Sequence, residues 1–268
     1  MILPTASSPG WLLAGAAALA YMVPVFMGRH ASGHAQRLAM TPGWLLHALA
    51  LAAGLLGASP HFGFAPALSM TLWLVLATYA VEHQLLPQMQ SRGAVIVMAV
   101  LAALVVLAAA AFPGLPLEER SSPWLALHLT FGIASYGLFA AAVVHAWLMV
   151  RAEQRIRQAA EMQGRMPLLA LERLTFRFIT AGFILLTATL AEGWLFGEQL
   201  YGHAPKWDHK TVFSVLAWAT IAVLLIGRSR FGWRGRKAVR VLYVGAALLL
   251  LAYVGSRFVL EIILGRAT

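Results

Sequence analysis

Nine histidines, at positions 30, 34, 47, 61, 83, 128, 145, 203 and 209, stand beside only ten carboxylates in a chain of 268 residues. Cysteine is absent, which removes disulfides, thiol exchange, thiolate zinc sites and cysteine-ligated iron-sulfur clusters, and leaves metal chemistry to His, Met and carboxylate. Neutral imidazole can ligate haem iron axially, and two imidazoles from different helices can hold one porphyrin between them. The densest grouping runs from Trp194 through His203 to the run Trp207-Asp208-His209-Lys210. Its aromatic rings offer flat apolar faces to a macrocycle, and Lys206 and Lys210 complement carboxylates such as haem propionates. Asp208 has two roles open to it: orienting His209, or capping the helix that follows. A plainer reading of the aromatics also stands, because Trp and Tyr gather at membrane interfaces whatever the function.

The elements that must position these groups are apolar. Hydrophobic residues make up 60% of the chain and charged residues 11%, a balance that a water-exposed surface cannot accommodate and a bilayer can. Runs near the length needed to span a membrane lie at 11–27, 43–58, 67–81, 94–112, 124–150, 175–197, 211–227 and 239–260. The second and third are the shortest. The expected fold is therefore all-α, a polytopic bundle of about eight transmembrane helices forming a single integral membrane domain over 1–268. Residues 1–10 carry no charged side chain, unlike the basic start of a cleaved signal peptide, so residues from Trp11 onward read as a retained first helix.

The net charge of +10 would suit nucleic acid, but its placement indicates membrane orientation instead. The connections at 28–42, 82–93, 151–177 and 228–240 hold 15 of the 20 Lys and Arg residues. The positive-inside rule puts these connections in the cytoplasm and both termini outside. Basic residues at the inner leaflet attract anionic lipid, worth about 1 kcal/mol each. Topology then sorts the histidines: His30, His34, His83 and His47 lie at or near the cytoplasmic side, where solvated or headgroup positions are expected. His145 lies toward the inner end of the fifth span. His61, His128, His203 and His209 share the outer side.

Three segments carry a likeness to a known family. Pro123-Trp124-Leu125-Ala126-Leu127-His128 precedes Ser135-Tyr136-Gly137. Met166 to Arg177, with Glu172 and Arg173 at its centre, precedes Gly182-Phe183 and Leu185-Leu186-Thr187. Trp207-Asp208-His209-Lys210 precedes Trp218. In order and spacing these resemble the cytochrome c assembly proteins of the CcsA, CcmC and HemX group, most of all its YpjD-type eight-helix branch. The family-like core covers about 123–218, and Gly232-Trp233-Arg234-Gly235-Arg236 extends the likeness toward the YpjD type.

The resemblance implies a multi-pass protein of the bacterial cytoplasmic (inner) membrane, with its tryptophan-containing loop on the periplasmic side. It implies haem as cofactor, handled at the outer face during cytochrome c assembly, and other maturation or membrane proteins as partners. The cofactor-binding candidates are His128, His209, Trp194, Trp207, Asp208 and His203, with His128 and His209 on the haem iron. The sequence departs from the family pattern in four ways. The family's helix-buried histidine after the loop is missing, with Gly227 or a neighbour in its place. No tryptophan lies between Trp194 and Trp207; the outer histidine expected near the end of the last helix has no counterpart in 258–268; and His209 stands where the family has proline. Haem-lyase catalysis is thus not expected, and a haem-free membrane partner that retains the fold is the alternative. A small-solute transporter is the weaker alternative, because mid-span carboxylates are essentially absent.

Overall fold

The computed structural model describes residues 8–27, 32–57, 60–85, 92–116, 123–157, 168–198 and 207–264. The helices are α1 (Ser8–Phe26), α2 (Gly33–Leu56), α3 (Phe64–Leu85), α4 (Arg92–Ala111), α5 (Pro123–Arg157), α6 (Leu168–Leu195), α7 (His209–Phe231) and α8 (Gly235–Leu250). After α8 the chain continues through π-helical turns at Leu251–Gly255 and Val259–Ile263, so that one apolar rod runs over Gly235–Ile263. Two short strands, β1 (His61–Phe62) and β2 (Leu115–Pro116), pair antiparallel with His61 opposite Pro116. Seven helices are long and apolar enough to cross a membrane, and α1 adds a shorter apolar stretch over Gly10–Phe26. The all-α polytopic bundle expected from the sequence is the fold observed.

Several boundaries differ from the hydropathy reading. The second and third helices are not short: α2 has 24 residues and α3 has 22. The expected connection at 28–42 already turns helical at Gly33, because the Ser32 hydroxyl accepts the Ala35 N–H at 3.2 Å and caps α2. The expected cytoplasmic lead into the sixth span is helical from Leu168. Helix α7 starts on the cap formed by Asp208, whose Oδ1 accepts the Thr211 N–H at 2.8 Å. It stops at Gly232, whose φ of 63° suits a residue without a Cβ.

The chain forms two compact units, one of Met1–Glu119 with Arg257–Thr268, the other of Arg120–Ser256. In the first, Tyr21, His47 and Ser69 are fully buried and tie α1, α2 and α3 together. The His47 ring lies between the other two side chains, with Nε2 at 2.7 Å from the Ser69 hydroxyl and Nδ1 at 3.2 Å from the Tyr21 hydroxyl. His47 is therefore a core residue, not the solvated histidine expected from its place in the sequence. One turn away, Trp44 and Trp73 stack at 4.7 Å and exchange indole N–H bonds to each other's backbone carbonyls at 3.3 and 3.1 Å. Gly43 lets α2 approach this closely, since a Cβ there would lie 2.8 Å from the Tyr21 ring.

The second unit explains what the family-like segments do physically. Ser135 donates to the Gly182 carbonyl at 3.1 Å, joining α5 to α6, and Tyr136 donates to the Leu249 carbonyl, joining α5 to α8. Trp218 donates its indole N–H to the Thr187 hydroxyl at 2.9 Å, joining α7 to α6, while stacking on Phe183. At the opposite end from the Trp194 turn, Glu172 pairs with Arg228 and, at 3.5 Å, with Arg234. The motif residues are thus interhelical ties. In lipid, where apolar burial gives helices no reason to prefer each other to tails, such ties and close packing hold the bundle.

Two outcomes test this account. His47→Ala orphans the Tyr21 and Ser69 hydroxyls, which costs roughly 1–3 kcal/mol for each buried group left unbonded, so thermal unfolding in detergent occurs at a clearly lower temperature. Asp208→Ala removes a cap worth about 1 kcal/mol. Burial opposes ionisation of Asp208, but the Thr211 hydrogen bonds and the charges of Lys210 and His209 outweigh it and hold the carboxyl below the usual carboxylate range. A depressed folded-state pKa means that this stabilisation is complete above the unfolded value of about 3.9 and is lost as pH falls through the folded value. Asp208→Asn keeps an acceptor at the cap and should remove that acid-limb dependence from the unfolding curves.

Candidate functional site

Helix α5 begins on Pro123, a residue suited to the first helical position because its missing N–H would be unsatisfied there in any case. Trp124, in the first turn, stacks on Phe196 with ring centroids 4.1 Å apart and planes 11° apart. His128 follows Trp124 by four residues, and Glu192 precedes Phe196 by the same spacing. Helical periodicity therefore stacks two rungs between α5 and α6, an aromatic one at the tip and an ionisable one beneath it. In the lower rung His128 Nδ1 lies 3.8 Å from Glu192 Oε2. The imidazole packs against α6 at Gly193, where a Cβ would touch His128 Cε1 at 3.4 Å, an ordinary van der Waals contact.

The Glu192 side chain is 6% exposed, and neither of its oxygens accepts a hydrogen bond from the described residues. A buried carboxylate without hydrogen-bond donors is costly, and the group that faces it is an imidazole. Glu192 belongs to the site, yet its position near a helix end assigns it no role in the sequence. The signal was the matched spacing of four in Trp124/His128 and Glu192/Phe196, which places two aromatic-ionisable pairs on facing helix ends.

The same end of α6 carries a second aromatic pair, on a different face: Trp194 follows Glu192 by two residues and so points to the other side of the helix. Trp194 is 57% exposed and Trp207 67%, and their rings meet edge to face at 5.9 Å. This contact brings the start of α7 to the end of α6. Asp208 serves as the N-cap of α7, and His209 is the first residue of that helix, with an exposed side chain. The structure thus joins His128 to Glu192 and Trp194 to Trp207, and His209 follows Trp207 along the chain. His203, Tyr201 and Lys206 lie outside the described residues. Of the remaining histidines, His145 is buried with its ring 5.2 Å from that of Phe178, and His61 sits in β1.

The arrangement offers one partly buried imidazole backed by a carboxylate, an exposed pair of tryptophans and a solvent-facing imidazole. Among the described residues no group of three or more His, Cys, Asp or Glu is placed to hold a metal ion. A bare zinc or calcium ion would need such a group. A macrocycle that brings its own equatorial ligands needs only one or two axial groups and an apolar face.

Comparison with known proteins matches this chain to the cytochrome C assembly protein family over residues 58–264. The inner membrane protein YpjD of Escherichia coli K12 is 32% identical over 146 residues, 54% of this chain and 55% of that protein. A 28.8 kDa protein encoded in the nifR3-like 5' region of Azospirillum brasilense is 32% identical over 155 residues, 56% of this chain and 57% of that protein. The cytochrome c biogenesis protein CcsA of Prochlorococcus marinus is 32% identical over 88 residues, 33% of this chain and 28% of that protein. The chain spans about half the length of YpjD and the Azospirillum protein, and less of CcsA. No solved structure matches it. With its apolar helices and inner-membrane relatives, this chain is a multi-pass inner-membrane protein, and it belongs to the cytochrome c assembly protein family.

Proposed function

We propose that this protein binds haem at the outer, periplasmic face of the inner membrane and presents it during cytochrome c assembly, without itself catalysing haem attachment. The observation that carries the proposal is the His128–Glu192 rung between α5 and α6, one turn in from the Trp124/Phe196 stack, at the same end of α6 as the exposed Trp194/Trp207 pair. His128 and His209, the latter presented at the start of α7, are the residues that would hold the haem iron. Haem bound there would supply the redox-active iron and the carrier chemistry. The chain supplies imidazole nitrogen, flat apolar contact from Trp194 and Trp207, and Lys210 as a counter-charge for propionate. His203, by its place between the two tryptophans in the sequence, belongs to the same loop.

The outer placement is supported by charge: the Arg-rich connection around Gly232 is at the other end of α7 from His209, and basic connections favour the cytoplasm. A role in cytochrome c biogenesis is supported by family membership and by the relatedness to CcsA. Partners drawn from the maturation machinery follow from the same reading.

A haem-free membrane partner is the second reading, favoured by one observation. Near the end of the last helix, where the resemblance calls for a further outer histidine, the polar side chains are Arg257 and Glu261, 3.8 Å apart. Stoichiometric co-purification of another protein with no haem, from haem-replete cells, is the outcome that this reading expects.

Absorption spectra of the purified protein separate the two. Wild-type protein from haem-replete cells should carry a Soret band and sharp reduced α and β bands. His128→Ala should weaken haem retention by more than the roughly 10–100-fold typical of losing an outer-shell partner. His209→Ala should convert a six-coordinate spectrum to a five-coordinate one. A robust haem signal that neither substitution changes would remove both residues from the site.

A further inference from the structure

Glu192 lies on α6, within the last turn before the chain leaves the helix, and its carboxylate is inside the protein. Three features of its surroundings limit what it can do. Among the described residues no hydrogen-bond donor reaches either oxygen, so it is not held as part of a structural network such as the one that surrounds Glu172. The ion-pairing group nearest to it is His128, through Nδ1 and not Nε2. The Trp124/Phe196 stack lies one helical turn further toward the helix ends, and the ring edge at Cε1 faces Gly193. The imidazole thus has the α6 backbone at Gly193 against Cε1 and the carboxylate toward Nδ1.

We propose that Glu192 is the positioning residue for His128: it accepts the Nδ1 proton, fixes the ring in the Nδ1–H tautomer, and leaves the Nε2 lone pair as the ligating atom. The inference deepens the haem-binding reading and rests on it for the identity of the ligand, but not for the tautomer. An imidazole has one N–H and one lone pair when neutral, so whichever nitrogen donates decides which can ligate. A carboxylate on Nδ1 makes that choice and raises the basicity of Nε2. The 3.8 Å separation is longer than a charge-assisted hydrogen bond of about 2.7–2.9 Å. The gap, about 1 Å, is of a size that rotation about the glutamate side-chain torsions covers without any ligand on Nε2.

A carboxylate used only for packing would be replaceable by an apolar side chain of similar volume, which removes a desolvation cost. A positioning carboxylate would not. The substitutions that discriminate are Glu192→Leu, which removes the acceptor, and Glu192→Gln, which retains a weaker one in the same space.

The first measurement uses haem-free protein labelled with 15N-histidine in lipid nanodiscs, with His128→Ala identifying the His128 signals. The expected wild-type pattern is the Nδ1–H tautomer. Glu192→Leu shifts His128 to a mixture with the Nε2–H form, and Glu192→Gln lies between. The second measurement uses the haem-loaded protein. Glu192→Leu weakens haem retention about 10–100-fold and raises the reduction potential, because a less basic imidazole stabilises ferric iron less, while Glu192→Gln recovers part of both. If His128 keeps the same tautomer in all three proteins, the inference is wrong, even where haem binding through His128 stands. If the tautomer responds as expected but wild-type protein takes up no haem, the positioning role stands and the haem reading fails. Should Glu192→Leu not fold, the tautomer ratio in Glu192→Gln alone decides, an unchanged ratio overturning the proposal.

Discussion

Inside a bilayer a polar atom has no water to bond, so each polar group must be satisfied by the chain itself. That constraint organises every part of this structure. Thr71, Thr175, Thr187, Thr189 and Thr220 each return the hydroxyl to a carbonyl one turn back in their own helix. Such bonds cost no partner helix. Where a hydroxyl, indole or phenol bonds across to another helix instead, as at Ser135, Tyr136 and Trp218, it fixes which helices are neighbours. In lipid these few bonds, with close contacts at small residues, stand in for the hydrophobic driving force of a water-soluble core.

The same constraint separates polar groups tied into the scaffold from those of the proposed site. His47 is satisfied on both ring nitrogens by Tyr21 and Ser69, which makes it part of the scaffold. Glu172 is satisfied by Arg228 and Arg234 and anchors the basic end of the second unit. Glu192 is more deeply buried but faces a single imidazole, one turn in from the Trp124/Phe196 stack. A buried carboxylate facing an imidazole is a costly arrangement to hold at one end of α5 and α6.

Much of this fold is legible in the sequence because apolar runs of spanning length are a strong signal: a helix stands at each of the eight runs in the order read, seven of them, among the described residues, long and apolar enough to cross a membrane. The ends of helices are less legible. Residues 33–42 contain His, Gln, Arg, Thr and Pro, and so read as a loop; the Ser32 cap that starts α2 there is a local signal easily outweighed by composition. His47 was misplaced for a different reason. Its partners lie 26 and 22 residues away on other helices, and no one-dimensional pattern announces such a pairing. The candidate site divides along the same line. His128, Trp194, Trp207, Asp208 and His209 are visible as residue types with a family-like spacing, while the involvement of Glu192 depends on which helix face packs against α5.

The central claim is that the α5–α6 rung, with the start of α7, forms a haem site. The most direct test is the haem content of wild-type protein, purified in mild detergent under anaerobic conditions from haem-replete cells and recorded in its oxidised and reduced states. The account predicts stoichiometric haem with a histidine-ligated spectrum. Protein that is folded and monodisperse, and that neither carries haem nor takes it up when haem is added, would contradict it.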